Sequence, residues 1–404
     1  MTTSPRPTAL STSTLVLMAV ACGLCAGANY FNQPLLHSMA QHLRISDAQA
    51  ASTVTMAQVS YGLGLLLLVP LGDMLERRRL VVVLMLLAAC GMLLSGLSGT
   101  ANSFGLLAAG TLMAGVFSVA AQVLVPMAAT FAAPGTSGRA VGLVMSGLLV
   151  GILASRSVAG ILSGLGGWST VYWVGAICTA LMALLLARAL PKAPPAAHVG
   201  YGEIMQSLAQ LLRQYPRLRS RALIGGTGFA TVSVLFSSMA LLLAGPGFGY
   251  SDVVIGLIGI AGIAGALMAN VAGRLADKGL EQSTTLAGAA LMLLGWLCLW
   301  LGGSNIWWFV LGLLVVDAAL QALHISNQNV VYALAPQARS RINAVYMTTY
   351  FLGAAIGSAL GSWAWLHHGW GGTSLTGAAL GLLCLAVVLW DRKLLAAQGQ
   401  ARSA

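Results

Sequence analysis

Residues 69–98 read VPLGDMLERRRLVVVLMLLAACGMLLSGLS. The segment opens with a proline, a glycine, Asp73, Glu76 and three consecutive arginines, Arg77, Arg78 and Arg79. From Leu80 to Leu97 no charge follows. A run of about 18 apolar residues is long enough to cross a bilayer as a helix, and basic residues gather at the cytoplasmic edge of such helices. Leu143–Leu153, Val171–Leu186, Leu286–Leu301 and Ala378–Trp390 are likewise free of charge. Charged residues make up 7% of the 404 and hydrophobic ones 58%, whereas an ordinary soluble domain carries about 25% charged residues. So few charges cannot cover a water-soluble core. The sequence is that of a polytopic integral membrane protein, which excludes a soluble enzyme, a disulfide scaffold and a disordered binder.

Dividing the chain at charges, prolines and glycine-rich turns gives twelve spans: 13–36, 48–70, 80–98, 103–128, 140–163, 168–188, 221–244, 253–273, 284–302, 306–332, 343–366 and 373–390. Continuous apolar runs without strand-like alternation predict helices rather than a barrel. With the N-terminus inside, the cytoplasmic segments collect Arg6, Arg77, Arg78, Arg79, Arg139, Arg188, Lys192, Arg213, Arg217, Arg219, Arg221, Arg274, Lys278, Arg339, Arg341, Arg392, Lys393 and Arg402. Arg44 is left outside and Arg156 within a span, so both termini are expected in the cytoplasm. The net charge of +11 then reflects topology and anionic lipid, and requires no nucleic-acid partner. Arg6, the apolar stretch from Leu15 and Ala26–Ala28 resemble a signal peptide. Its removal would leave eleven spans and turn the arginine-rich loops outward, so the segment is read as the first span.

The spans fall into halves: a bundle over 1–190, a linker over 191–220 and a second bundle over 221–404. Within the linker, Ile204, Leu208, Leu211 and Leu212 mark one face of an interfacial helix over 201–215. The halves are related in sequence. Pro134 and Pro336, Arg139 and Arg341, Gly151 and Gly353, and Trp168 and Trp370 are each 202 positions apart, as are Gln122 and His324; Asp73 and Asp277 are 204 apart. Two similar halves in the same orientation imply a pseudo-two-fold axis along the membrane normal with a site between them. Span 5 carries small residues at every fourth position from Gly147 through Gly151, and span 11 repeats the pattern at Gly353, Gly357 and Gly361. Such stripes let helices approach closely. The six cysteines all lie in spans; Cys22 and Cys25 have no second pair or histidine nearby and read as packing residues, not metal ligands.

Val69-Pro-Leu-Gly-Asp73-Met-Leu-Glu-Arg77-Arg78 after span 2 and Gly273-Arg-Leu-Ala-Asp277-Lys-Gly279 after span 8 resemble the G-x-L-a-D-r-x-G-r-k loop of the major facilitator superfamily. The first copy has Val69 and Glu76 in place of the glycines; the second lacks the basic tail. The resemblance extends over the whole chain and implies an all-α membrane fold, with twelve helices in two pseudo-symmetric six-helix bundles. It also implies that these loops, with Arg139 and Arg341, latch one conformer, the outward-facing one. A carboxylate there can meet a helix N-terminus and pair with an arginine. Gly151…Ser155-Arg156…Ala159-Gly160 is similar to the antiporter motif of span 5, with Ser-Arg where Gly-Pro is usual. Asn29-Tyr-Phe-Asn-Gln-Pro-Leu-Leu36 is similar to a branch related to bacterial sugar and drug efflux permeases.

Eight of the nine acids lie in loops or at span ends, and Asp317 alone sits near the middle of one. An intramembrane acid costs about 2.5–3.5 kcal/mol on insertion scales and marks a cavity or a partner. Asp317, Gln321, His324 and Gln328 share one face of span 10. Asn29, Asn32 and Gln33 on span 1, Gln122 on span 4, and Thr227 and Thr231 on span 7 are further candidates, since the resemblance places spans 1, 4, 7 and 10 around the cavity. Arg156 pairs with Asp317, snorkels outward or bonds carbonyls of its own half.

The three lysines stand outside any G-x-x-x-x-G-K-[ST] loop, and no catalytic triad or metal cluster is apparent, so neither an enzyme nor a cofactor is expected. The reading is a monomeric, multi-pass secondary transporter of the bacterial cytoplasmic (inner) membrane. It exports a small drug, sugar or metabolite in exchange for protons by rocking its halves. The alternatives are an uptake symporter, a uniporter or a non-transporting sensor.

Overall fold

The computed structural model describes residues 10–133, 136–192, 200–259, 268, 271–275, 278–335 and 339–403. Among them ten helical segments are long and apolar enough to cross a membrane. In the first half, α1 (Thr12–Ala28) and α2 (Leu36–Leu43) build span 1, α3 (Asp47–Leu67) span 2 and α4 (Arg77–Ala101) span 3. Span 4 is α5 (Phe104–Phe117) followed by α6 (Ala120–Thr130); spans 5 and 6 are α7 (Ser137–Gly166) and α8 (Thr170–Ala189). The linker helix α9 (Tyr201–Gln214) leads into α10 (Pro216–Ala244), which is span 7. Span 8 begins as α11 (Asp252–Ile258) and is helical again at 271–275; much of it, and Asp277 after it, lies outside the described residues. Then come α12 (Glu281–Leu301), α13 (Ile306–Leu334) and α14 (Arg339–Ser403), the last holding spans 11 and 12. Gly369 (φ 57°) divides α14, and only glycine adopts that turn without strain. The chain then returns beside α10, which meets Gly353 at Gly226 and Asp391 at Arg221.

Local chemistry sets these boundaries. Ser46 and Gln49 form a capping box at the start of α3, and Ser103 and Asn305 cap α5 and α13 through their side chains. Span 1 unwinds at Asn29–Asn32 and resumes as a 3₁₀ turn over Gln33–Leu35. Pro34 brings no N–H, and its ring crowds the carbonyl four residues back. The linker helix buries Ile204, Leu208 and Leu211 but exposes Leu212, which was expected on the same face. One residue beyond Leu211 the helix has turned by about 100°, which carries Leu212 off the buried stripe.

Water cannot drive helices together inside lipid, so close backbone approach has to hold the bundle. The stripe of α7 supplies this in the first half: a Cβ on Gly147 would collide with Ala19 and one on Gly151 with Gly23. The second half repeats the contact, with Gly353 against Gly226 and Gly357 against Ala230 of α10. The sequence repeat is therefore a repeat of packing.

Connections at one end of the bundle include the 68–76 turn and α9; this is called the linker end, and the opposite one the far end. Contacts between the halves gather on the far side of mid-depth. Thr55 Oγ1 and Ser358 Oγ lie 2.9 Å apart, Ser157 Oγ donates to Gly256 O at 2.9 Å, and Ser163 Oγ donates to Asp252 Oδ2 at 2.6 Å.

Candidate functional site

On the linker side of those contacts, a cavity of about 1030 Å³ lies between the halves. Its mid-depth wall is Tyr30, Arg156, Phe236 and Asp317, and it continues past His324 and Gln122 towards Gln328, Tyr332 and Asn343. Asp317, Gln321, His324 and Gln328 all line it, as expected for residues on one face of α13. The wall also includes α7 and the spanning start of α14, from Met145 to Arg156 and from Asn343 to Phe351, two elements beyond the four that the resemblance implied.

Arg156 projects from α7 into the junction of the halves and is 6% exposed. Its Nε donates to Gln33 Oε1 at 2.6 Å. Its guanidinium carbon lies 3.9 Å from the ring centre of Phe236, in the second half, and 5.0 Å from that of Tyr30. Cation–π contact with desolvated rings is worth about 2 kcal/mol, so amide and aromatic groups share the work of holding this charge. Asp317 lines the same cavity, yet the ion pairs among the described residues are Arg77–Asp73, Arg217–Asp391 and Arg221–Asp391. Arg156 thus bonds a side chain of its own half and stands over a ring of the other, and feels the charge of Asp317 without an ion-pair contact to it.

The other predicted residues separate into wall and scaffold. Gln122 lines the cavity and donates to Tyr61 Oη at 3.4 Å. His324 Nδ1 lies 3.1 Å from Tyr346 Oη, and its ring centre is 4.8 Å from that of Tyr350. The break in span 1 turns Asn29 and Asn32 away from the wall: Asn29 Nδ2 donates to Cys25 O of its own helix and Asn32 Nδ2 to Thr53 of α3. Gln33 takes part through Arg156. Thr227 returns its hydroxyl to Leu223 O at 2.7 Å and Thr231 is fully buried, so neither faces the space. Tyr30, Phe229, Phe236, Tyr350 and Phe351 supply aromatic walls that no charge in the sequence marks. Their only signal is spacing: Phe229, Val232 and Phe236 recur on one face of α10.

At the linker end, Asp73 and Arg77 pair at 3.2 Å with the carboxylate 41% exposed, and Arg77 Nε also donates to Gly72 O. The N-terminus of α4 is capped by Glu76, which accepts from the backbone of Arg78 and Arg79 at 3.1 and 3.0 Å. The residue replacing a motif glycine therefore takes the cap. Arg78 donates to Leu190 O at 3.3 Å. Arg341 is exposed and borders a second hollow of about 490 Å³ together with Asp73 and Arg77. Arg139 is exposed and Gly273 half-buried.

Two charged residues expected at span ends, Arg221 and Asp391, lie in the core. Arg221 is fully buried in α10 and meets Asp391 (1% exposed) at 2.7 Å. Ser220 Oγ donates to the other carboxylate oxygen, while Arg221 also donates to Thr285 and Asn327. These residues join spans 7, 9, 10 and 12. The helix begins at Pro216, five residues before the expected start of the span, which places Arg221 inside the bundle.

Comparison with known proteins agrees with this architecture. The family profile of the Major Facilitator Superfamily matches residues 18–303 and 271–400. The chain is 49% identical over 378 residues to the Uncharacterized transporter YgaY of Escherichia coli O157:H7, covering 94% of this chain and 95% of that one. A probable sugar efflux transporter of Mannheimia succiniciproducens is 23% identical, over 77% of this chain and 76% of its own. Among solved structures, a point mutant of the nucleoside transporter NupG superimposes with a TM-score of 0.76 at 13% identity, over 94% of this chain and 99% of the other. Twelve expected spans in two repeated halves, a cavity between them and a family match along nearly the whole length lead to one conclusion: the chain belongs to the major facilitator superfamily, as a multi-pass membrane transporter.

Proposed function

We propose that the protein exports a small organic molecule in exchange for protons, by rocking its two halves about the central cavity. One observation carries this reading: Asp317 is a carboxylate on the wall of that cavity and has no ion-pair partner among the described residues. An acid held inside a membrane at a cost of about 2.5–3.5 kcal/mol earns a role when proton and cargo take turns on it. His324 and Gln321 are its neighbours on the same helix face, and Arg156, Gln33 and Gln122 serve the opposite wall. Eighteen of twenty basic side chains assigned to one side support placing the linker end in the cytoplasm of a bacterial inner membrane, with both termini there. The cavity then loads from the cytoplasm, the side from which an exporter takes its cargo. The likeness to a sugar efflux transporter favours the same direction.

Asp73, Arg77 and Arg78, Arg341 across the linker-end hollow, Arg139, and Gly273 with Asp277 in the second copy form the latch for the opposite conformer. Pairing of Asp73 with its neighbour Arg77 leaves Arg341 exposed, as a released latch would. The protein acts as a monomer in the bilayer, without nucleic acid.

The test is a panel of sugars, drugs and amphoteric metabolites in proteoliposomes under an imposed pH gradient. Uphill movement of at least one compound, abolished when the gradient is collapsed, is expected. Downhill movement indifferent to the gradient would identify a uniporter, and binding without counterflow a sensor; either contradicts the proposal.

A further inference from the structure

The cavity holds two opposite charges that attract one another without touching. Arg156 uses Nε on Gln33, and among the described residues its two terminal nitrogens have no hydrogen-bond partner. Its plane is fixed by Tyr30 on one half and Phe236 on the other, so the free edge of the guanidinium is held in place. Asp317 stands on α13 without a hydrogen bond or ion pair among the described residues. The part of span 8 outside them, 260–267 with 269–270, contains no Asp, Glu, Lys, Arg or His that could neutralise either group.

A planar guanidinium with two parallel N–H donors matches a carboxylate. A carboxylate that lacks a hydrogen bond or ion-pair contact in a low-dielectric space matches a protonated amine. A simple anion in this cavity would meet Arg156 but add a second negative charge beside Asp317. A simple cation would do the reverse. Only a ligand carrying both charges leaves each group matched and the cavity neutral. The same cavity is lined by apolar and aromatic groups, with Phe229 and Tyr350 stacked at 4.2 Å and Phe351 against Phe229 at 5.5 Å. We propose that the cargo is a zwitterionic, amino-acid-like molecule with an aromatic or bulky apolar body, its carboxylate on the terminal nitrogens of Arg156 and its ammonium on Asp317.

This inference rests on the reading of the cavity as the transport site and adds a reason for exchange. Ammonium and proton compete for the single carboxylate of Asp317, while the carboxylate of the cargo needs only Arg156. One proton entering for one net-neutral molecule leaving moves one positive charge per cycle.

The test uses the full-length protein in detergent and four probes that share a benzyl side chain and differ in charge. They are phenylalanine, phenylalaninamide, N-acetylphenylalanine and N-acetylphenylalaninamide, the last two larger by an acetyl group, so each charge effect is read against the variant proteins. A ligand that binds the folded state raises its unfolding midpoint with concentration, which gives an apparent Kd for each probe. Phenylalanine is expected to bind at least about tenfold more tightly than the other three, the ratio that 1.4 kcal/mol produces. Arg156→Gln is expected to shift the preference to the cationic amide, and Asp317→Asn to the anionic N-acetyl acid. Each preference is a ratio within one protein, so a general loss of stability does not imitate it. Should Arg156→Gln fail to fold, Arg156→Lys keeps the charge without the planar fork and is expected to weaken only the two acid-bearing probes. The same rank order in all three proteins, a wild-type preference for any other probe, or no stabilisation by any of the four would overturn the proposal. Substrate-dependent proton flux in vesicles judges export separately: flux without zwitterion preference overturns only this inference, and preference without flux overturns only export.

Discussion

The two halves share their packing but differ in where they keep charge. In both, the stripe of the fifth helix of the half presses on its first, Gly151 on Gly23 and Gly353 on Gly226. At the linker end they part. The first half carries its acid and arginine in a turn, Asp73 with Arg77, where water reaches both. The second half carries Arg221, Thr285, Asn327 and Asp391 inside the bundle. The positions 202 earlier are Ala19, Val83, Val125 and Ala189, all apolar. The fold thus needs the small-residue seam twice and the ionic core once. A pseudo-symmetric transporter gains from that difference: one half is tied across four helices, and the other ends in a turn whose charges are free to exchange partners.

Breaking the ionic core is the largest test of this contrast. Arg221→Ala leaves Asp391 buried and short of its closest partner, and removing one member of a buried pair costs about 3–5 kcal/mol. A large fall in the unfolding midpoint in detergent is expected, and Arg221→Met with Asp391→Leu is expected to recover much of it. A single substitution as mild as one on the surface would show that the pair is not the tie described here.

The shared seam gives the next effect. Gly151→Val and Gly353→Val each force a branched side chain into a backbone contact, and overpacking costs about 1–3 kcal/mol. The two losses, read by the same thermal unfolding, are expected to be of similar size. Unequal losses would mean that the repeat in sequence is not a repeat in packing. The smallest change belongs to the turn. Asp73→Asn removes an exposed pair worth about 0–1 kcal/mol, so stability should hardly move while the rate of transport changes. A stability loss matching that of Arg221→Ala would erase the difference between the halves.

Much of this was legible in the chain. Spans, the linker helix and the two-fold repeat follow from apolar run length, charge punctuation and landmarks 202 apart, because each depends on what leaves water. Which neighbour a buried residue meets does not. Asn29, Asn32 and Gln33 look alike on a helical wheel, and only the unwinding at Pro34 sends Gln33 to Arg156 and Asn32 to Thr53. Arg221 and Asp391 lie at span ends, where charge is ordinarily solvated, and their burial depends on Ser220, Thr285 and Asn327 arriving from separate stretches of chain. Asp317 was visible because an acid in an apolar span is costly and marks a cavity or a partner. The aromatic walls were hidden because rings are common in any membrane helix.

The central claim is that Asp317 is where proton and cargo exchange. Its most direct measurement is proton movement driven by substrate in proteoliposomes, wild type beside Asp317→Asn, with counterflow of the same substrate as the control. The account predicts substrate-driven proton flux in the wild type and a loss of at least about tenfold, or 1.4 kcal/mol of coupling, in Asp317→Asn, with the variant still folded by its unfolding midpoint. Undiminished proton flux through Asp317→Asn would contradict it.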